Sequence, residues 1–393
     1  MLTEKNTPEN ETVDKGSIFL NVNDLRMYTM IFVLVAVVIF FQIVVPDGIF
    51  LGARNLSNLF RQLTITGIIT VGMMLLIVSC NFDLAVGSAV ALVGGLMAQL
   101  QANYGVSTLY VIPIGLVCGV LLGSWQGFWV AYRRVPSFIV TLGNMMLFRG
   151  IYLTYTKGIT VSPMNDDFAA IMTTYLPNIV GIIIGVIAAV IVVFLFLAKR
   201  NSSKKFNLKV EKLWLTCLKV LGVWALIALF VLRMNEFEGI PLSVMILIAI
   251  VLLFVFITKK TRFARRVYAI GGNNEAARLA GINVKRYVFS LYVITGVLCS
   301  ISAVLLTSRL NAAVAAAGTS YEMDVISACV VGGTSLSGGK GTVLGVIIGA
   351  LLISCLGNGM SLLNVESYVQ SIVKGLVLIL AVWFDVATQS KAR

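Results

Sequence analysis

Most residues able to do chemistry in this chain are neutral amides and hydroxyls set inside apolar runs. Gln62, Thr66 and Thr70 recur at i, i+4 and i+8, which places them on one face of a helix. Ser124, Gln126, Thr141, Asn144, Ser354 and Asn358 add hydrogen-bonding groups to other apolar runs, with Trp125, Trp129 and Tyr155 nearby in sequence. Groups of this kind suit the transient passage of a polyhydroxyl solute, because they make and break hydrogen bonds without carrying a fixed charge. Gln62, Thr66, Thr70, Gln126, Asn144 and Asn358 are therefore candidate path residues. The same side chains also act as glue between packed helices, and for each of them both readings stand.

Other chemistry is poorly provided for. The chain has no histidine, so the usual general base and the commonest metal ligand are missing. Cys80, Cys118, Cys217, Cys299, Cys329 and Cys355 occur singly in or beside apolar runs, as small packing residues do, and form no Cys-x-x-Cys pair. Asp166-Asp167 falls in a polar connection, where a solvated turn explains it. Gly339-Lys340 superficially resembles a phosphate-binding loop, but G-x-x-x-x-G-K-[ST] needs Gly at 334 and Ser or Thr at 341, where Thr334 and Gly341 stand. No catalytic residue, metal site or cofactor is expected, and nucleotide energy would have to come from another polypeptide.

The elements that must position these groups follow from composition. Hydrophobic residues make up 59% of the 393 and charged residues only 12%, too little polar surface for a water-soluble globule. Apolar stretches near the ~20 residues that cross a bilayer predict spans at 28–46, 59–79, 84–102, 108–131, 137–156, 178–198, 214–232, 241–258, 287–307, 323–336, 341–360 and 367–385. The stretch 323–336 is short and reads as a half-helix or re-entrant segment. The expected fold is an all-α polytopic membrane protein of about 10–12 transmembrane helices. Residues 1–27 read as a disordered cytoplasmic leader, 28–387 as one transmembrane domain and 388–393 as a tail.

The net charge of +13 is not that of a nucleic-acid binder, since basic residues cluster just beyond the apolar runs. Segments 132–136, 199–213 and 259–286 carry most of them, which predicts that these loops and both termini are cytoplasmic. Spans two to five and nine to twelve would then have opposite topology, an inverted repeat with the substrate path near its interface. Asp83, Gly87 and Ser88 form the turn after span two, with Asp83 expected to N-cap span three. Arg149 and Lys374, inside spans, each require a polar partner.

The central basic loop 259–286 holds Gly271-Gly272-Asn273-Asn274-Glu275-Ala276-Ala277-Arg278-Leu279-Ala280-Gly281-Ile282. Asn273 or Asn274 can cap a short helix, Glu275 suits its first turn, Ala276 and Ala277 favour it, and Gly281 can end it. A helix of about two turns is marginal alone in water. It reads either as a docking element for a soluble partner or as a basic connector with a helical turn.

At these residues the chain resembles the permease subunits of the ribose/galactose/xylose group of ABC sugar importers. The matching stretches are Asn55–Ser88, notably Ile69-Thr70-Val71-Gly72-Met73 and Asp83–Ser88; Val135–Leu142; Tyr268–Ile282; Gly332-Gly333-Thr334-Ser335-Leu336; and Lys374–Asp385. The resemblance implies a type II-like ABC importer permease of the bacterial inner membrane that carries a monosaccharide. Its implied partners are a second permease copy, a cytoplasmic ATP-binding subunit and a periplasmic or tethered sugar-binding protein, all in a lipid bilayer. It also implies that Gly271–Ile282 contacts the ATPase. Members commonly show about ten helices, so an extra pair, about 178–232, appears inserted here; the xylose branch of the group has this longer form. Asn81-Phe82 and Ala85 depart from the residues usual there. A gradient-driven secondary transporter is the alternative; such proteins often carry buried acids as ion sites, and the clearest acids beside spans here, Asp83, Glu322, Asp324 and Glu366, all lie near span ends.

Overall fold

A computed structural model describes residues 22–205 and 213–390. The expected leader up to residue 21, the connector at 206–212 and residues 391–393 lie outside the described residues. In chain order the helices are α1 (Val22–Val44), α2 (Ala53–Val78), α3 (Val86–Ala102), α4 (Thr108–Gly127), α5 (Ser137–Thr156), α6 (Asp166–Thr173), α7 (Asn178–Lys205), α8 (Leu213–Asn235) and α9 (Leu242–Lys260). After them come α10 (Arg262–Gly272), α11 (Asn274–Leu279), α12 (Val284–Leu310), α13 (Tyr321–Val331), α14 (Val343–Leu362) and α15 (Ser367–Ser390). Two short strands, β1 (Tyr175–Leu176) and β2 (Ile240–Pro241), pair antiparallel.

Among the described residues, eight helices are long and apolar enough to cross a membrane, and shorter apolar helices cover Thr29–Val44, Val86–Ala102 and Ser367–Trp383. The predicted tenth span is the 11-residue helix α13, about 16 Å long at 1.5 Å per residue and too short to cross. A helix apolar on every side is covered on every side. In α2, 83% of the most apolar stretch is buried inside the protein, against 6% in α7 and α8, which puts α2 at the centre and that pair at the lipid margin.

The two halves expected from the sequence pack reciprocally. Helix α12 lies on α3 and α4, while α2 lies on α13 and α14; α3 contacts α5 as α13 contacts α15. Helices α3 and α13 begin back to back. A Cβ on Gly87 would overlap the Gly318 carbonyl oxygen, and one on Gly318 would overlap that of Gly87. Two partial helices meeting N-terminus to N-terminus together supply about one crossing.

The α7–α8 pair is a loop-out from this bundle. The chain departs at β1 and returns at β2, with Tyr175 opposite Pro241 and Leu176 opposite Ile240. Leu242 N–H donates to the Thr174 carbonyl at 3.0 Å, closing the same gap. Phe230 of α8 meets Phe60 of α2 edge-on at 4.9 Å between ring centres.

Connections sort to two ends. At one, the Val78–Val86 turn, α10–α11 and the 332–342 turn come together, with Ser137 Oγ 3.4 Å from Phe82 N. At the other, Val161 bridges to Ala313, and Met172 N–H donates to Ser308 Oγ at 3.0 Å. The first end carries Arg262, Arg265, Arg266, Arg278, Lys285 and Arg286.

Candidate functional site

The basic end holds the docking candidate. Residues 259–286 are more ordered than a connector. Amphipathic α10 lays Ala264, Val267, Ile270 and Gly271 against the bundle, with Thr261 Oγ1 accepting from Ala264 N at 3.3 Å as its cap. The sequence reading missed α10 because its apolar positions are interrupted by Arg262, Arg265 and Arg266; their spacing around Ala264, Val267 and Ile270 was the available signal. Helix α11 is capped by Asn273, whose Oδ1 accepts from Ala276 N at 2.9 Å. Gly281, at φ +79°, turns the chain into the left-handed region after it. Glu275 and Arg278 pair across one turn and are both exposed, so this pair stabilises little. Leu279, 79% exposed, projects from the same helix, whereas Ala277 turns inward. Gly271 and Gly272 end α10 and are not part of the exposed helix.

The six path residues are dispersed over four helices. Gln62 and Thr66 are half-buried on α2. Thr70 is fully buried and its Oγ1 donates to the Thr66 carbonyl at 2.7 Å, so it does not share their exposure. Asn358 of α14 and Asn55 of α2 exchange amide hydrogen bonds at 2.9 and 3.0 Å, and Asn55 Nδ2 also donates to the Phe50 carbonyl at 2.8 Å. Asn144 Oδ1 accepts from Trp125 Nε1 at 3.1 Å, leaving its buried Nδ2 without a partner among the described residues.

Gln126 is the partner of Asp83. With its amide nitrogen turned toward the carboxylate, it donates to Asp83 at 2.8 and 3.3 Å. Asp83 itself is 3% exposed and accepts from Ala85 N at 2.8 Å. The expected N-cap is thereby corrected: Ala85 occupies the cap position of α3, and Asp83 stands two residues ahead, its carboxylate drawn between the turn and α4. Ser88 is buried in the first turn of α3, beside Gly87.

The two cations inside spans find partners on the approach to α13 and in its first turn. Arg149 donates to the carbonyls of Ala315 and Ala317 at 3.2 and 2.8 Å. Lys374 Nζ lies 2.9 Å from Asp324 Oδ2, while the buried Asp324 Oδ1 has no partner among the described residues. Neither Asn55 nor the Asp324–Lys374 pairing was singled out from sequence, because each depends on a helix far away in the chain. Among the described residues no group of His, Cys, Asp or Glu is arranged to hold a metal ion.

A family model described as branched-chain amino acid transport system / permease component matches residues 55–382. The xylose transport system permease protein of Haemophilus influenzae is 43% identical over 94% of this chain and 98% of its own length. The protein of the same name from Escherichia coli K12 is 43% identical over 94% of each chain. The ribose import permease protein of Haemophilus influenzae is 34% identical over 92% of each. No solved structure matches. The chain belongs to this permease family, and it is a multi-pass membrane transport subunit, not an enzyme.

Proposed function

We propose that this permease translocates a monosaccharide, D-xylose first, into the cell, driven by ATP hydrolysis in a partner subunit that docks on α11. The observation that carries the docking is an Asn-capped, solvent-exposed helix at the basic end, held by α10 directly beneath the central bundle. Similarity over nearly the full length to two xylose permeases supports the sugar. In this reading the basic end is cytoplasmic, as the excess of Arg and Lys there favours, and both termini lie on that side in the inner membrane. Residues 28–387 act as one transmembrane domain, and a second copy completes the conduit within the lipid bilayer. A sugar-binding protein delivers the solute to the opposite end.

Gly271, Gly272, Asn273, Glu275, Ala276, Ala277, Arg278, Leu279, Gly281 and Ile282 form the docking element and its base. Gln62 and Thr66, half-buried on α2, are the path candidates whose side chains remain most open to a solute. Asp83, Gly87 and Ser88 hold the turn into α3.

The test is uptake of labelled xylose into proteoliposomes holding the permease, an ATP-binding subunit and a xylose-binding protein. Uptake should require ATP and survive an ionophore. Replacing Glu275 and Arg278 together should uncouple uptake from hydrolysis without affecting membrane insertion. Uptake that needs no ATPase partner and collapses with the ionophore would refute the reading in favour of a gradient-driven transporter.

A further inference from the structure

The end of α10 is wedged into the bundle at a three-way contact with almost no side chains. A Cβ on Gly271 would overlap the Val78 carbonyl oxygen at the end of α2 and would lie 2.7 Å from Gly339 N. On the other flank, Gly339 N–H donates to that same Val78 carbonyl at 2.9 Å. A Cβ on Gly338 would overlap Cys80 Sγ and lie 2.7 Å from the Gly271 carbonyl oxygen. The Cys80 thiol lies 3.3 Å from the Ser337 carbonyl and 3.6 Å from that of Gly271. One turn earlier, Tyr268 donates its hydroxyl to the Gly341 carbonyl at 2.8 Å. Burial raises the pKa of both the Cys80 thiol and the Tyr268 phenol, so both stay protonated donors at neutral pH.

Side-chain contacts can slip by changing rotamer. Main-chain surfaces touching without intervening side chains have no such slack, and close-packed protein transmits strain. The segments meeting here come from three separate parts of the chain: the end of α2, the end of α10, and the turn joining α13 to α14. Helix α13 in turn abuts α3 at Gly318 and Gly87.

We infer that Gly271, Gly338 and Cys80 form a rigid joint through which α10–α11 carries the inner ends of α2 and α13 as one body. These are positioning residues: they touch neither solute nor nucleotide, and they act through the helices they clamp. The inference rests on the docking role proposed for α11. It adds that force leaves the docking element through this joint, in parallel with the direct chain connection into α12.

Two variants test it in the reconstituted transporter. Gly338→Ala, outside the docking element, drives a methyl into Cys80 Sγ and the Gly271 carbonyl and pries the 332–342 turn from α10. Copurification of the ATP-binding subunit and basal ATPase should persist, while sugar moved per ATP falls roughly tenfold, the scale of a ~1.4 kcal/mol coupling loss. Ser337→Cys, with Cys118 and Cys217 replaced by Ala, sets a second thiol on the residue whose carbonyl lies 3.3 Å from Cys80 Sγ, adding no new Cβ to the contact, so that oxidation staples the joint. Because the joint moves as one body, the oxidised protein should transport at the rate of the same protein kept reduced. The inference is overturned if oxidation stops uptake and reductant restores it, since the segments would then have to separate during the cycle. A Gly338→Ala protein that binds the ATPase and keeps the wild-type ratio of sugar to ATP overturns it as well. Failure of the docking reading looks different: the ATP-binding subunit would not copurify even with the wild-type chain.

Discussion

Asn358 separates the two readings of the polar groups inside the helices. In the structure its amide exchanges two hydrogen bonds with Asn55, at 2.9 and 3.0 Å, joining α2 to α14 across 303 residues of chain. Interhelical hydrogen bonds within membranes are worth about 0.6 kcal/mol on average and at most about 1.7. Asn358→Leu keeps the branched shape with methyls in place of the amide oxygen and nitrogen and removes both bonds, costing about 1–3 kcal/mol. The Asn55 nitrogen keeps its bond to the Phe50 carbonyl at 2.8 Å, so only its oxygen is stranded, which adds about 1–3 kcal/mol. The single variant should therefore be destabilised by about 2–6 kcal/mol. Adding Asn55→Leu should cost clearly less than the sum of the two singles, because it removes the stranded group. Unfolding by SDS titration in mixed micelles, run as a double-mutant cycle, gives the coupling directly. Uptake by the protein that remains folded should stay near wild type. The reasoning is refuted if Asn358→Leu leaves stability unchanged while abolishing uptake, or if the two substitutions are additive within about 0.5 kcal/mol. Asn358 would then be a path residue.

Gly87→Val should prevent α3 and α13 from meeting at Gly318 and cost about 1–3 kcal/mol or more, read as a lower melting temperature in detergent. A wild-type melting temperature would refute that close approach. Lys374→Met should destabilise strongly, by about 3–5 kcal/mol, because it leaves the Asp324 carboxylate unpaired at 13% side-chain exposure. Asp324→Asn in the same chain should recover most of the loss in the same melt, and a double variant no better than the single would count against the pair. Asn273→Ala removes the cap on a six-residue helix and should weaken α11 by about 1 kcal/mol. Affinity for the ATP-binding subunit should drop severalfold, and Asn273→Asp, which still caps, should restore it.

What the sequence by itself determined is what depends on short stretches of chain. The length of an apolar run fixes whether a helix can span, so the predicted runs appear as helices, and 323–336 stands out as too short to cross. A cap needs only four consecutive residues, so a cap at Asn273 or Asn274 and a stop at Gly281 were legible, and the structure uses Asn273. The clustering of Arg and Lys at one end needs only the count of crossings.

The tertiary structure alone decided which polar groups meet. Gln126 and Asn358 look equivalent in sequence, yet one turns to the Asp83 carboxylate and the other to a distant amide. Such pairings depend on helix rotation and depth, which are set by packing between segments hundreds of residues apart. The glycines follow the same rule. Gly339-Lys340 reads as a failed phosphate loop until the ends of α2 and α10 arrive beside it, and only then do the missing side chains of Gly338 and Gly339 become the space in which three backbones touch.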